Sequence, residues 1–155
     1  RSYLFSIIII QFFVTNIFYS ILNAIILNLV FKHVNYFIIF LTFFLWGLCV
    51  FSLAFFFQSF IDKTRVALIL SLLIYFVMYF LSMAVMSDQA AKGLKIVLSI
   101  FPAIALELGI ILFGYFESHF QNLKFKHVTK TYQNYAVIWM LVMLLIDFLL
   151  YLYFR

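Results

Sequence analysis

Four glycines, one proline, one cysteine and only five carboxylates are found among 155 residues, and each scarcity excludes something. So few glycines leave no Gly-rich loop to cradle a phosphate. The lone cysteine, Cys49, excludes an intrachain disulfide. The three histidines, His33, His119 and His127, lie in polar stretches with no cysteine or carboxylate at metal-ligand spacing. No serine or cysteine sits beside a plausible base, so no catalytic constellation is expected. Charged residues make up 10% of the chain, too few to cover a soluble domain of this size. The net charge of +5 is spread over turns rather than gathered on one face, which argues against a nucleic-acid partner and for lipid headgroups. Asn-x-Ser/Thr sequons are absent. The first apolar run is about twice the length of a signal peptide's apolar core, with no small-residue cleavage site behind it, so no signal peptide is expected.

What fills the chain instead is apolar: 68% hydrophobic and 23% aromatic residues, with a mean hydropathy of +1.21. A hydrocarbon core about 30 Å thick is crossed by roughly 20 apolar residues in a helix. Stretches 3–31, 36–57, 66–86 and 136–154 meet that length. A fifth stretch, 94–115, contains Pro102, which breaks or kinks a helix, and Glu107. An unpaired acid at mid-bilayer costs on the order of 2.5–3.5 kcal/mol on insertion scales. Two short helices, 94–101 and 103–115, dipping in and returning to one side would relieve both problems if the bend is buried in protein. The expected fold is an all-α, polytopic membrane helical bundle, with about four transmembrane helices plus a re-entrant helical hairpin. The charge count alone favours a different answer. If 94–115 returns, Arg1, Lys63, Arg65 and Arg155 face Lys32, Lys92, Lys95, Lys124, Lys126 and Lys130 across the membrane. If it crosses, Lys124, Lys126 and Lys130 join Arg1, Lys63 and Arg65 while Arg155 moves to the other side, six against four, and the positive-inside rule prefers that five-span arrangement.

Polar residues inside the spans are the candidates for function. Asn16, Ser20 and Asn23 share one helical face, which needs either another helix or a wet cavity beside it. Helix–helix hydrogen bonding is the preferred reading of this stripe, and the lining of a translocation path is the alternative. Asp147 is a functional-site candidate because it is an intramembrane acid. The favoured role is structural, a hydrogen bond across to another helix, with the Asn16–Ser20–Asn23 face as the expected partner. Ser59, Phe60, Asp62, Lys63 and Arg65 make a compact charged turn between the second and third spans, suited to docking on a soluble partner.

Five local patterns follow one another along the chain: Tyr3-Leu4-Phe5-Ser6, then Trp46-Gly47-Leu48 with Phe55 to Lys63, then Ile74 to Tyr79, then Leu94 to Ala103, then Met143 to Tyr151. In that order they resemble one half of the membrane region in the A subfamily of ABC transporters, the lipid-exporter branch of the ABC-2-type fold. Tyr3-Leu4-Phe5-Ser6 is similar to the aromatic-rich start of that family's third helix. Trp46-Gly47-Leu48, followed by Phe55 to Lys63, resembles its fourth helix and the turn after it. Ile74-Tyr75-Phe76-Val77-Met78-Tyr79 matches a fifth-helix signature. Leu94-Lys95-Ile96 and Ser99-Ile100-Phe101-Pro102-Ala103 resemble its bend, with Phe101 where the family has serine. Met143-Leu144-Leu145-Ile146-Asp147 through Tyr151 follows its last-helix pattern. The resemblance implies that residues 1–155 are part of an ABC-2-type transmembrane domain, a piece of a longer polypeptide. It further implies a second membrane half and ATP-binding cassettes, which bind ATP and Mg²⁺ outside this stretch, as partners besides membrane lipids. Segment 94–115 would be the family's extracytoplasmic re-entrant hairpin, and the 59–65 turn would face the cytoplasm against a cassette. The implied activity is ATP-driven movement of lipids or other amphipathic substrates. The alternative is a self-contained five-span protein acting as a channel subunit or assembly partner. A membrane-embedded enzyme using Glu107 and Asp147 is a third reading.

Overall fold

The computed structural model of the chain describes residues 2–61, 63–86, 90–119, 122–124, 126, 129–131 and 135–154. Within them lie six α-helices: α1 (Ser2–Val30), α2 (Tyr36–Phe60), α3 (Thr64–Val85), α4 (Lys92–Leu98), α5 (Pro102–Ser118) and α6 (Val137–Tyr153). The chain is thus the all-helical bundle its apolar runs predict. Helices α1, α2 and α3 are each long and apolar enough to cross a bilayer. Helix α6 has 17 residues, or about 26 Å at 1.5 Å per residue, which sits at the short limit for a span.

Local chemistry sets the helix boundaries. The Asn35 side chain accepts the Phe37 N–H at 2.9 Å, capping one of the donors that the first turn of α2 leaves open. Pro102 occupies the first turn of α5, where its missing N–H is no loss and its fixed φ suits a helix start. The expected pair of short helices is therefore present as α4 and α5. The break falls at 99–101, ahead of the proline, and Pro102 opens the second helix rather than kinking a continuous one.

Helix α2 is the centre of the bundle. Of its most apolar window 44% is buried, against 11% for both α1 and α3. Helix α1 packs on one face of it: Phe12 stacks on Phe51 with ring centroids 3.8 Å apart, and Asn16 Nδ2 donates to the Phe44 carbonyl at 3.2 Å. A side chain at Gly47 would run into Asn16, so this glycine permits the close approach. Helix α6 packs elsewhere on α2. The Cys49 thiol donates to the Leu144 carbonyl at 2.7 Å, and Phe56 lies against Tyr151, centroids 5.8 Å apart. The two contacts are separated by the same number of residues on each helix, so α2 and α6 run parallel. Met140 of α6 covers Gly109 of α5, a second close approach through a glycine.

The outward faces are apolar. Leu68, Ile69, Leu72, Phe76 and Phe80 of α3 and Ile10, Val14, Phe18 and Ile26 of α1 are all exposed. A water-soluble monomer rarely shows a contiguous apolar surface this extended. This is the surface of a helical membrane bundle.

One end of the bundle gathers three elements. The α1–α2 turn meets the segment after α5 through a parallel bridge between Val34 and Leu123, with Leu123 N–H donating to His33 O at 2.9 Å and Asn35 N–H to Leu123 O at 3.2 Å. Glu117, the penultimate residue of α5, accepts the His33 backbone N–H at 2.8 Å. The Phe31 and Phe113 rings meet edge to face nearby. Helices α1, α2 and α3 alternate in direction, so the end of α3 lies at this same end. The α4–α5 pair therefore leaves and returns at one end of the bundle.

Candidate functional site

The hairpin bend is held by one side chain just before α6 and one near its end. Ser99, wholly buried, donates its hydroxyl proton to the Lys95 carbonyl at 2.6 Å. That proton being committed, Tyr135 must be the donor in its 2.8 Å hydrogen bond to Ser99 Oγ. Burial pushes the Tyr135 hydroxyl up to about 12, so it keeps its proton and serves as a donor at any physiological pH. Tyr151, four residues after Asp147, donates to the Ile100 carbonyl at 3.0 Å. These bonds satisfy backbone and side-chain groups that the break between α4 and α5 would otherwise leave open. An apolar cavity of about 350 Å³, lined by Phe56, Phe57, Val77, Met78, Phe101 and Tyr151, adjoins the bend.

Two charged residues lie deep beside this region. Lys95 is 2% exposed and sits on the inward face of α4, one turn before Ser99. Asp147 is 0% exposed, and neither carboxylate oxygen has a hydrogen-bond partner among the described residues. It lies within electrostatic range of the Cys49 thiol and the Tyr135 and Tyr151 hydroxyls. The expected bond from Asp147 to the Asn16–Ser20–Asn23 face does not form. Asn16 donates to Phe44 O on α2, while Ser20 and Asn23 donate to the carbonyls of Asn16 and Tyr19 in their own helix. Helices α1 and α6 pack on different faces of α2, which stands between the two polar groups.

The stripe lines a groove instead. A cavity of about 250 Å³ between α1 and α2 is bounded by Phe12, Thr15, Asn16, Tyr19, Asn23 and Trp46, among others. Trp46 is part of this lining, and its indole N–H is buried with no acceptor among the described residues.

Of the two residues expected at the re-entrant bend, Pro102 begins α5 immediately after it and Glu107 lies farther along the same helix. Glu107 Oε2 is buried with no hydrogen-bond partner among the described residues. At the opposite end, the charged turn is short. Ser59 and Phe60 are the last residues of α2, and Lys63 precedes α3 without a side-chain cap. Phe60, Lys63 and Arg65 are exposed, and the Ser59 hydroxyl donates to Phe56 O at 2.7 Å. Asp62 lies outside the described residues.

Sequence reasoning passed over Tyr135, Tyr151, Ser99, Lys95 and Trp46 as functional candidates, and it did not pair His33 with Glu117. The His33 ring nitrogen Nδ1 is 3.1 Å from Glu117 Oε1. The His33 backbone N–H, and next to it the ring, hold the Glu117 carboxyl below the usual carboxylate range. Among the described residues no three His, Cys, Asp or Glu side chains gather as metal ligands would. No protein-family model, curated protein or solved structure matches this chain. What defines its class is the fold alone, a helical membrane-type bundle with a broken helical pair packed against its centre.

Proposed function

We propose that the chain is the membrane-spanning part of an ATP-driven transporter of the ABC-2 type, moving lipids or other amphipathic substrates across a bilayer. The observation that carries this reading is the α4–α5 pair, whose two ends lie at one end of the bundle while its bend is capped by Tyr135 and Tyr151. Irregular backbone at membrane depth is tolerated only where protein or a cavity satisfies it, and this bend meets that condition. In this reading α1, α2, α3 and α6 cross the bilayer and α4–α5 re-enters it. The 59–65 turn, at the other end, faces the cytoplasm and abuts an ATP-binding cassette. A second membrane half and the cassettes complete the transporter on the same polypeptide. ATP and Mg²⁺ belong to the cassettes, and no residue of this chain is assigned to them. A five-span channel subunit would need α4–α5 to end away from the α1–α2 turn, against the Val34–Leu123 and His33–Glu117 contacts.

The test uses the whole polypeptide, reconstituted in vesicles containing a fluorescent phospholipid. The reading expects lipid movement between leaflets that requires ATP and Mg²⁺. It also expects charge reversal at Asp62 and Lys63 to lower substrate-stimulated ATP hydrolysis while abundance stays near normal. Movement indifferent to nucleotide would contradict the reading, as would stimulation unchanged by the reversal for the assigned coupling turn.

A further inference from the structure

We propose that Asp147 is a proton-binding site that locks the hairpin bend: its carboxyl is neutral while α2 and α6 are closed on it and releases the proton only when they part. The proposal stands on the packing around α6 and does not depend on the transporter reading.

Asp147 is wholly buried, and neither oxygen has a hydrogen-bond partner among the described residues. An ionised carboxylate offers about four acceptor sites and no donor, so it needs several donors or a cation beside it. Three groups able to donate lie within electrostatic range: the Cys49 thiol of α2, the Tyr151 hydroxyl one turn along α6, and the Tyr135 hydroxyl just before α6. Each has a single proton, and each proton is committed elsewhere. Cys49 donates to Leu144 O, Tyr151 to Ile100 O and Tyr135 to Ser99 Oγ. Helix α5, the other helix packed on α6, carries the acids Glu107 and Glu117, and neither acts on Asp147. Among the described residues no Lys, Arg or His pairs with the carboxyl, the buried Lys95 of α4 included. A buried charge left without partners neutralises. The side chain has no surface open to a water molecule, so a hydrated cation has no room beside it. A proton needs none.

The position of the carboxyl ties the proton to the bend. Leu144, Asp147 and Tyr151 share one face of α6. Asp147 therefore lies between two anchors, the Cys49–Leu144 bond to α2 and the Tyr151–Ile100 bond to the hairpin. Water reaches the carboxyl only if α6 moves off α2 along this face, which draws Tyr151 away from Ile100 O. The closed arrangement thus holds the proton more tightly than the open one, and by reciprocity the proton favours closure. Closure is supported while the proton is bound and loses that support as alkalinisation removes it.

The experiment is infrared spectroscopy of the full polypeptide in lipid vesicles, with and without ¹³C-carboxyl aspartate, beside hydrogen exchange at 99–101 corrected for the intrinsic effect of pH. The proposal expects a carboxylic-acid C=O stretch at neutral pH that shifts with the label and is missing from Asp147→Asn. That variant keeps Asp62 and Asp88, so the band it loses belongs to Asp147. On alkalinisation the stretch should disappear while exchange at 99–101 rises several-fold in the parent and stays slow in Asp147→Asn. The isotope shift is read in the unmutated protein and so decides even if the variant folds poorly. No label-shifted acid stretch at neutral pH would overturn the proposal, because Asp147 would then be ionised. Retention of the stretch by Asp147→Asn would overturn it too. Loss of the stretch without faster exchange at 99–101, or an equal rise in parent and variant, would overturn the lock.

Discussion

The Tyr151 hydroxyl, near the end of α6, donates at 3.0 Å to the carbonyl of Ile100, which precedes it by 51 residues at the hairpin bend. This bond joins the last helix of the bundle to the break between α4 and α5. A neutral hydrogen bond contributes about 0.5–1.5 kcal/mol net, and an acceptor stranded in an apolar setting costs more. Tyr151→Phe is expected to speed amide hydrogen exchange at 99–101 and to leave exchange in the body of α2 unchanged. Uniform acceleration throughout the bundle would show that Tyr151 supports global packing rather than the bend.

Gly47 lies directly under Asn16, and a methyl group there has no room unless the Asn16 side chain moves. Overpacking of this kind costs about 1–3 kcal/mol. Gly47→Ala should lower the melting temperature in detergent, and Asn16→Ala in the same chain should recover part of that loss. The recovery is the signature of direct contact in a double-mutant cycle. Strictly additive losses would mean the two residues do not touch.

Asp147 offers a sharper contrast. With both carboxylate oxygens unpartnered in a fully buried position, an apolar replacement breaks no hydrogen bond and removes a group that is costly to bury. Asp147→Val and Asp147→Asn should therefore fold at least as stably as the parent in detergent. If both fold and transport falls, the acid serves the transport cycle rather than packing. A drop of several degrees for Val but not for Asn would reveal a hydrogen-bond partner for the carboxyl.

The Glu117–His33 clasp titrates in a defined direction. The Glu117 carboxyl is held below its ordinary range in the folded chain, chiefly by the His33 backbone N–H. A group with a depressed folded pKa stabilises the fold above its unfolded value and loses that contribution as pH falls through the folded one. An ordinary glutamate titrates at about 4.3, so the clasp is intact at neutral pH and loosens on acidification below that range. Hydrogen exchange at 33–35 and 122–124 should rise there. Glu117→Gln should show the faster exchange already at pH 7 and little further change on acidification.

Much of the fold was legible because hydrophobic run length speaks directly to helix length: the runs at 3–31, 36–57 and 66–86 became α1, α2 and α3 within a few residues. The helix break was legible from Pro102, although the proline opens α5 rather than kinking one helix. The site was less legible. The spacing of Met140, Leu144, Asp147 and Tyr151 puts them on one face of α6, but spacing does not say what that face meets. Asn16 found a backbone carbonyl, Phe44 O, and any carbonyl along a neighbouring helix is an equal candidate until the helices are docked. Tyr135 and Ser99 are 36 residues apart and meet only because the segment before α6 folds against the bend. Lys95 reads as a surface residue, yet α4 turns it inward beside Ser99.

The central claim is that α4–α5 enters and leaves at one face of a membrane, and single-cysteine labelling in sealed vesicles with an impermeant thiol reagent tests it most directly. Cysteines at Lys92, the first residue of α4, and Lys124, beyond the end of α5, stand at exposed positions, as does one at Lys63 in the turn at the other end of the bundle. With Cys49 changed to serine as background, the account predicts that positions 92 and 124 label from one face and position 63 from the opposite face. Labelling of 92 and 124 from opposite faces would contradict it.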